Sequence, residues 1–234
     1  MATFLSLCND VERESGTVNR AQRMGDVTAP PSDRHEKIVE WVRSAWRTLQ
    51  TKRQDWRFMT GEVDAPLSIG VARYTPGDLD IDRFADWVRD RDAYRPWTLI
   101  EPTVGAQSES ALSEISYDHW RTTYGRGVAQ QQRPVEYAIA RDGAFCVGAV
   151  PDKAYVLRGE YLKLPQRLVA NGDVPDMPEQ YHDAITYRAL ILMGEHDENP
   201  VLISTARAKL SEVYGEMCAR LTERVSLATA QGYF

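Results

Sequence analysis

The sequence predicts an α+β protein: a small helical bundle built from both ends of the chain, with a β-rich central insertion. Three observations carry this. Apolar residues recur at three- and four-residue steps before residue 56 and again after residue 178. Between those stretches the texture changes to β-branched and aromatic runs broken by Gly and Pro. A corner marked by Asn199-Pro200 is so short that two helices must fold back on each other. The expected divisions are 1–56 and 178–225 for the bundle, 57–177 for the insertion and 226–234 for an extended tail.

The elements follow in order. Thr3 to Glu14 reads as a short helix with Phe4, Leu7, Cys8 and Val11 on one face. A polar connection from Ser15 ends in the breaker Pro30-Pro31. Ser32 or Asp33 caps the next helix, which carries Ile38, Trp41, Val42, Ala45, Trp46 and Leu49. Phe58 to Tyr74 suggests strands with tight turns, and Phe84 to Ile100 reads as a twisted hairpin. Ser116 caps a short helix reaching Tyr124.

Glu136 to Leu164 is a run of strands, with a hairpin at Asp142-Gly143 and a further turn at Pro151-Asp152-Lys153. Beyond that turn, Tyr155, Leu157, Gly159 and Tyr161 share one face. Pro178 then opens a helix striped by Tyr181, Ile185, Ala189 and Leu192. Asn199 and Pro200 start the last helix, whose stripe from Ile203 to Val225 lasts about seven turns at 3.6 residues each. Trp41, Trp46, Ile185, Leu210 and Met217 are the expected bundle core.

Composition bounds the function. Hydrophobic content of 43% and charged content of 26% belong to a globular chain and not a disordered one. No apolar run approaches the ~20 residues of a membrane span. The opening MATFLSLCNDVERESG turns acidic too early for a signal peptide. Cys8, Cys146 and Cys218 are few, odd in number and far apart, which reads as buried thiols in a reducing compartment. A net charge of −6 argues against a body-wide phosphate-binding surface.

Candidate chemistry is sparse. Glu195-His196-Asp197-Glu198 has metal-ligand residue types, with His182 one helix away. The two histidines stand fourteen residues apart, so one ion cannot bind both without a chain reversal. A structural corner before a helix N-terminus is the plainer reading. Asp78, Asp80 and Asp82 imitate a calcium loop, but Arg83 stands where its glycine belongs and Arg89 where its last carboxylate belongs. Gly125-Arg126-Gly127, with Arg121 and Arg133 near it in sequence, lacks the strand and helix of a phosphate cradle. No Gly-x-Ser-x-Gly elbow exists. No catalytic residue, metal ligand or cofactor is expected. The end of the chain, Ser226, Leu227, then Gln231, Gly232, Tyr233 and Phe234, is too small to fold alone. It reads as a segment docked on a partner, with the two aromatics as anchors.

Set together, these pieces resemble the head-to-tail adaptor (connector) proteins of tailed bacteriophages. The resemblance lies in TFLSLCNDVERESG and IVEWVRSAWRTLQTKRQDWRFM, with the exit Asp55-Trp56-Arg57-Phe58. It continues in RPVEYAIARDG, VPDKAYVLRGEYLKLPQRL and VPDMPEQYHDAITYRALILMGEHDE, through Pro134, Tyr137, Pro151-Asp152, Tyr155, Tyr161, Pro178, His182 and Ala189. It spans nearly the whole chain and is weakest from Thr75 to Ser110.

The resemblance implies a virion subunit, assembled in the host cytoplasm, in a ring commonly of twelve copies. The ring would sit between the portal protein and the tail or nozzle proteins, with Ser226 to Phe234 reaching toward the portal. Double-stranded DNA would pass through its channel without specific binding, which an acidic subunit suits. The nearest alternative is a tail-completion or tail-terminator protein. An alternative of another class is a small metal-dependent hydrolase using His182, His196 and the Glu195 to Glu198 cluster.

Overall fold

The computed structural model describes residues 2–16, 23–53, 55–90, 94–127 and 130–222. Among them are five helices and two sheets, 41% helix and 21% strand, with helices at both ends and a β-rich middle. The α+β expectation therefore holds. The chain divides into a helical unit, Met1–Met59 with Pro165–Phe234, and a β unit, Thr60–Leu164. Residues 165–177, read above with the insertion, fall in the helical unit.

The helical unit contains α1 (Phe4–Ser15), α2 (Asp33–Thr51), α4 (Asp183–His196) and α5 (Pro200–Leu221). Its helix starts follow local chemistry. Thr3 Oγ1 accepts from Ser6 N at 3.3 Å, and Asn199 Oδ1 accepts from Leu202 N at 3.1 Å. Each thereby satisfies a donor that a helix N-terminus leaves open. Gly16 ends α1 in the left-handed region, with φ 63°.

α4 is the hub, packing on α1, α2 and α5. Accordingly its buried residues, including Ala184, Ile185, Thr186, Ala189, Leu190, Ile191 and Met193, do not form one stripe but surround the helix. Residues 197–199 reverse the chain. Gly194 then faces Ile203, and Lys209 lies over the Tyr187 ring, so α4 and α5 run antiparallel. Two boundaries differ from expectation. Pro178 is extended and precedes a 3-10 turn at Glu179–Tyr181, so α4 begins only at Asp183. α5 ends at Leu221, about six turns at 3.6 residues each, and Val225 lies outside the described residues.

The exit from α2 is closed by aromatic packing. Trp56 is fully buried, donates from Nε1 to Leu49 O at 2.9 Å, stacks on Phe58 and meets Tyr214 edge-on. One indole thus fastens the end of α2 to α5.

The β unit is organised by its longest strand, β9 (Tyr155–Lys163). β1 (Thr60–Leu67) pairs antiparallel along β9, from Thr60↔Leu162 to Leu67↔Tyr155. On the other edge of β9 lie β3 (Phe84–Trp87), against its C-terminal end, and β4 (Thr98–Ile100), against its N-terminal end; β5 (Ser110–Ala111) follows β4. The hairpin expected over 84–100 is therefore corrected: both pieces are strands, but each pairs with β9 and not with the other. The nine residues of β9 offer an edge longer than either short strand can fill. β1 carries Pro66, which the sheet accepts because β1 is an edge strand.

The second sheet runs β2 (Arg73–Tyr74), β8 (Phe145–Gly148), β7 (Glu136–Ile139), β6 (Ser113–Glu114). The Asp142-Gly143 hairpin joins β7 and β8, with Gly143 at φ 82°. Period-two alternation gives this sheet two apolar faces. Tyr137, Phe145 and Val147 meet Val63, Leu99, Leu157 and Tyr161 of the first sheet, around Trp87 and Trp97. Ala138 and Cys146 face Trp120 of α3 (Tyr117–Thr123), which Ser116 caps as expected. Gly159 leaves the room that Trp97 occupies: a Cβ there would stand 2.1 Å from the indole.

Candidate functional site

Among the residues expected to form the bundle core, Trp46, Ile185 and Met217 are buried. Trp46 Nε1 donates to Gln166 Oε1 at 3.2 Å. Trp41 and Leu210 are half-buried at the edge of that core. Trp41 lies beneath the Arg34 guanidinium and beside His196, at ring-centroid distances of 5.0 and 5.4 Å. Ser226, Leu227, Gln231, Gly232, Tyr233 and Phe234 lie outside the described residues.

α5 is covered on one side only. Ala206 and Met217 are buried, whereas Leu202, Leu210, Val213, Tyr214 and Leu221 are half-buried against the core. The opposite side carries small residues, Ser204, Ala208, Ser211, Gly215 and Ala219, with Glu212 and Glu216 among them, all exposed.

Beside Leu210, the last turn of α2 and the middle of α4 leave a groove of about 350 Å³, walled by Thr48, Leu49, Thr51, Lys52 and Arg188. Both threonine hydroxyls are committed to helix carbonyls, Thr48 to Ser44 O at 2.8 Å and Thr51 to Arg47 O at 3.0 Å. The Lys52 ammonium rests 4.1 Å from the Tyr214 ring centroid. Arg188 is different. Its Nε is buried, and no acceptor among the described residues reaches it. A second groove, of about 250 Å³, is lined by Glu40, Arg43, Arg47, Gln166, Arg167 and Leu168 among others. There Arg43 is held by Leu168 O at 3.0 Å and Glu40 at 2.7 Å.

The acidic corner is an ion-paired cap. Arg34 forks onto Asp197, with one arm at 2.8 Å, and this bond is the main reason the Asp197 carboxyl falls to about 2. His196 bonds Asp197 through Nδ1 at 2.8 Å and lies 2.9 Å from Lys37 Nζ through Nε2, while Arg207 meets Glu195 at 3.2 Å. His182 is buried with Nε2 on Met177 O at 2.8 Å. The histidines flank α4 at opposite ends, about 20 Å apart at 1.5 Å per residue, so the chain reversal does not unite them. Among the described residues no three His, Cys, Asp or Glu side chains are placed to hold a metal.

The other motifs also resolve into local structure. Asp78 accepts from Thr75 N and Oγ1, both at 2.7 Å, closing a turn. Arg133 donates to Leu99 O at 3.2 Å and Ser110 Oγ at 2.9 Å and lies over Tyr155, away from any Gly125–Gly127 cradle. Burial lifts the Cys8 thiol to about 12 and the Cys146 thiol to about 11, which leaves both poor nucleophiles.

A family model described as the SU10 adaptor protein matches residues 2–231. The chain belongs to that family. The match takes in both units of this SU10-family adaptor and all five helices among the described residues. No curated protein matches the chain. No helix among the described residues is long and apolar enough to cross a membrane.

The groove at Arg188 escaped the sequence reading. One signal was present: Arg188 is the only cation between Asp183 and Gly194, inside an otherwise apolar helix.

Proposed function

We propose that this chain is a structural subunit of the virion: an adaptor ring, expected at twelve copies, that joins the portal to the tail and extends the DNA channel. The observation that carries the reading is the SU10 adaptor match along residues 2–231, which spans the helical and the β unit together. The net charge of −6 supports a channel along which phosphates slide without binding. The role is mechanical, with no catalytic residue. Ser226, Leu227, Gln231, Gly232, Tyr233 and Phe234 are the proposed portal-binding segment, with Tyr233 and Phe234 as aromatic anchors. The buried Trp46, Ile185 and Met217 hold the bundle that carries this segment.

The experiment is co-sedimentation with portal rings, comparing the full chain with one ending at Val225. The full chain is expected to decorate the portal and the shortened chain to remain folded but unbound. Equal binding would remove the tail as anchor. Binding by neither, with capture by tail-tube protein instead, would favour a tail-completion protein.

A further inference from the structure

We propose that the groove at Arg188 is a socket for a carboxylate of a second copy of this chain, supplied by Glu212 and Glu216 on α5. This rests on the ring reading given under the proposed function and names the contact that closes such a ring.

The groove leaves a donor of a half-buried cation unanswered. Arg188 sits on the central helix with its Nε out of water and no acceptor among the described residues. Arg188 as a whole is half-buried; an Nε–H withdrawn from water without an acceptor is costly, and the planar fork is built to take both oxygens of a carboxylate. Lys52 adds a second positive charge on the same wall, and Leu49 and Leu210 supply an apolar floor. Cationic walls over an apolar floor suit an acidic side chain carried on a helix surface of small residues.

The same chain presents that complement elsewhere. Glu212 and Glu216 are exposed, and no ion partner among the described residues answers them. They stand one turn apart among Ser211, Gly215 and Ala219, so a neighbouring helix can approach closely. At 3.6 residues per turn, Glu212 and Glu216 point about 160° and about 120° away from Leu210 around the helix axis. One subunit therefore offers its socket on one side of α5 and its carboxylates on the other. Complementary patches on different faces cannot pair mutually in a two-fold dimer. They make a head-to-tail contact, which closes as a ring when the rotation permits.

The test is charge reversal, read by sedimentation of the purified chain alone and after mixing with portal rings. The variants are Arg188→Glu, Glu212→Arg with Glu216→Arg, and all three together, with circular dichroism as the check on folding. The wild type is expected to form a ring that each reversal reduces to single subunits and that the combination restores. Rings that persist in both reversals overturn the socket and leave the ring reading intact, and so does loss that the combination fails to restore. A wild type that stays a single subunit in both conditions overturns the ring reading itself. If Arg188→Glu does not fold, the exposed Glu212 and Glu216 reversals decide alone: loss of the ring supports the socket and a retained ring overturns it.

Discussion

The helical unit and the β unit solve the same burial problem with different means. The helical unit buries apolar helix faces around one hub helix, and local caps define where α1 and α5 begin. The β unit has short strands, most of only two to four residues, and gains its core from Trp87, Trp97, Tyr137 and Phe145 packed ring against ring. Local signals suffice where structure repeats every few residues. Where strands are short, long-range aromatic contacts must hold the register.

The largest expected effect follows from that contrast. Trp97→Ala removes a fully buried indole that sits over Gly159 and donates to Val88 O at 2.7 Å. It should cost about 3–5 kcal/mol in denaturant melts, with hydrogen exchange rising across 60–164. Protection unchanged there would mean that the aromatic cluster is not what holds the β unit.

Next come two truncations inside the helical unit. Ile185→Ala, at the fully buried hub, should cost about 2–5 kcal/mol. Leu210→Ala is half-buried in the single subunit and should cost only about 1–2 kcal/mol there. Equal losses would show that α5 is covered as fully as α4. Asn199→Ala, which deletes the α5 cap, should cost about 1 kcal/mol in thermal melts. No change would place the start of α5 under tertiary control alone.

The smallest effect is a pH dependence. Asp197 has its folded-state carboxyl lowered to about 2, chiefly by the Arg34 hydrogen bond, while the unfolded carboxyl stays near 3.8. Its stabilisation is therefore complete above about pH 4 and fades as pH falls toward 2. The partly exposed pair limits it to about 1 kcal/mol. Asp197→Asn should flatten that acid limb; an identical limb in the variant would assign it elsewhere.

How much the sequence revealed follows the same division. The caps at Ser116 and Asn199, the hairpin at Asp142-Gly143 and the alternation of Tyr155, Leu157 and Tyr161 all depend on neighbours within a few residues. The pairing of β1 with β9 joins residues almost a hundred positions apart. The sharing of one β9 edge by β3 and β4 depends on strand lengths that no local pattern encodes. Arg188 was hidden for a related reason. A cation inside an apolar helix is visible in sequence, but whether anything answers it is decided by α2 and α5.

The most direct measurement of the central claim is electron cryomicroscopy of portal rings mixed with the full chain. The account predicts a second ring stacked coaxially on the portal, with both units of each subunit accounted for in its density. Bare portal rings, with this chain left in solution under conditions where it is folded, would contradict it.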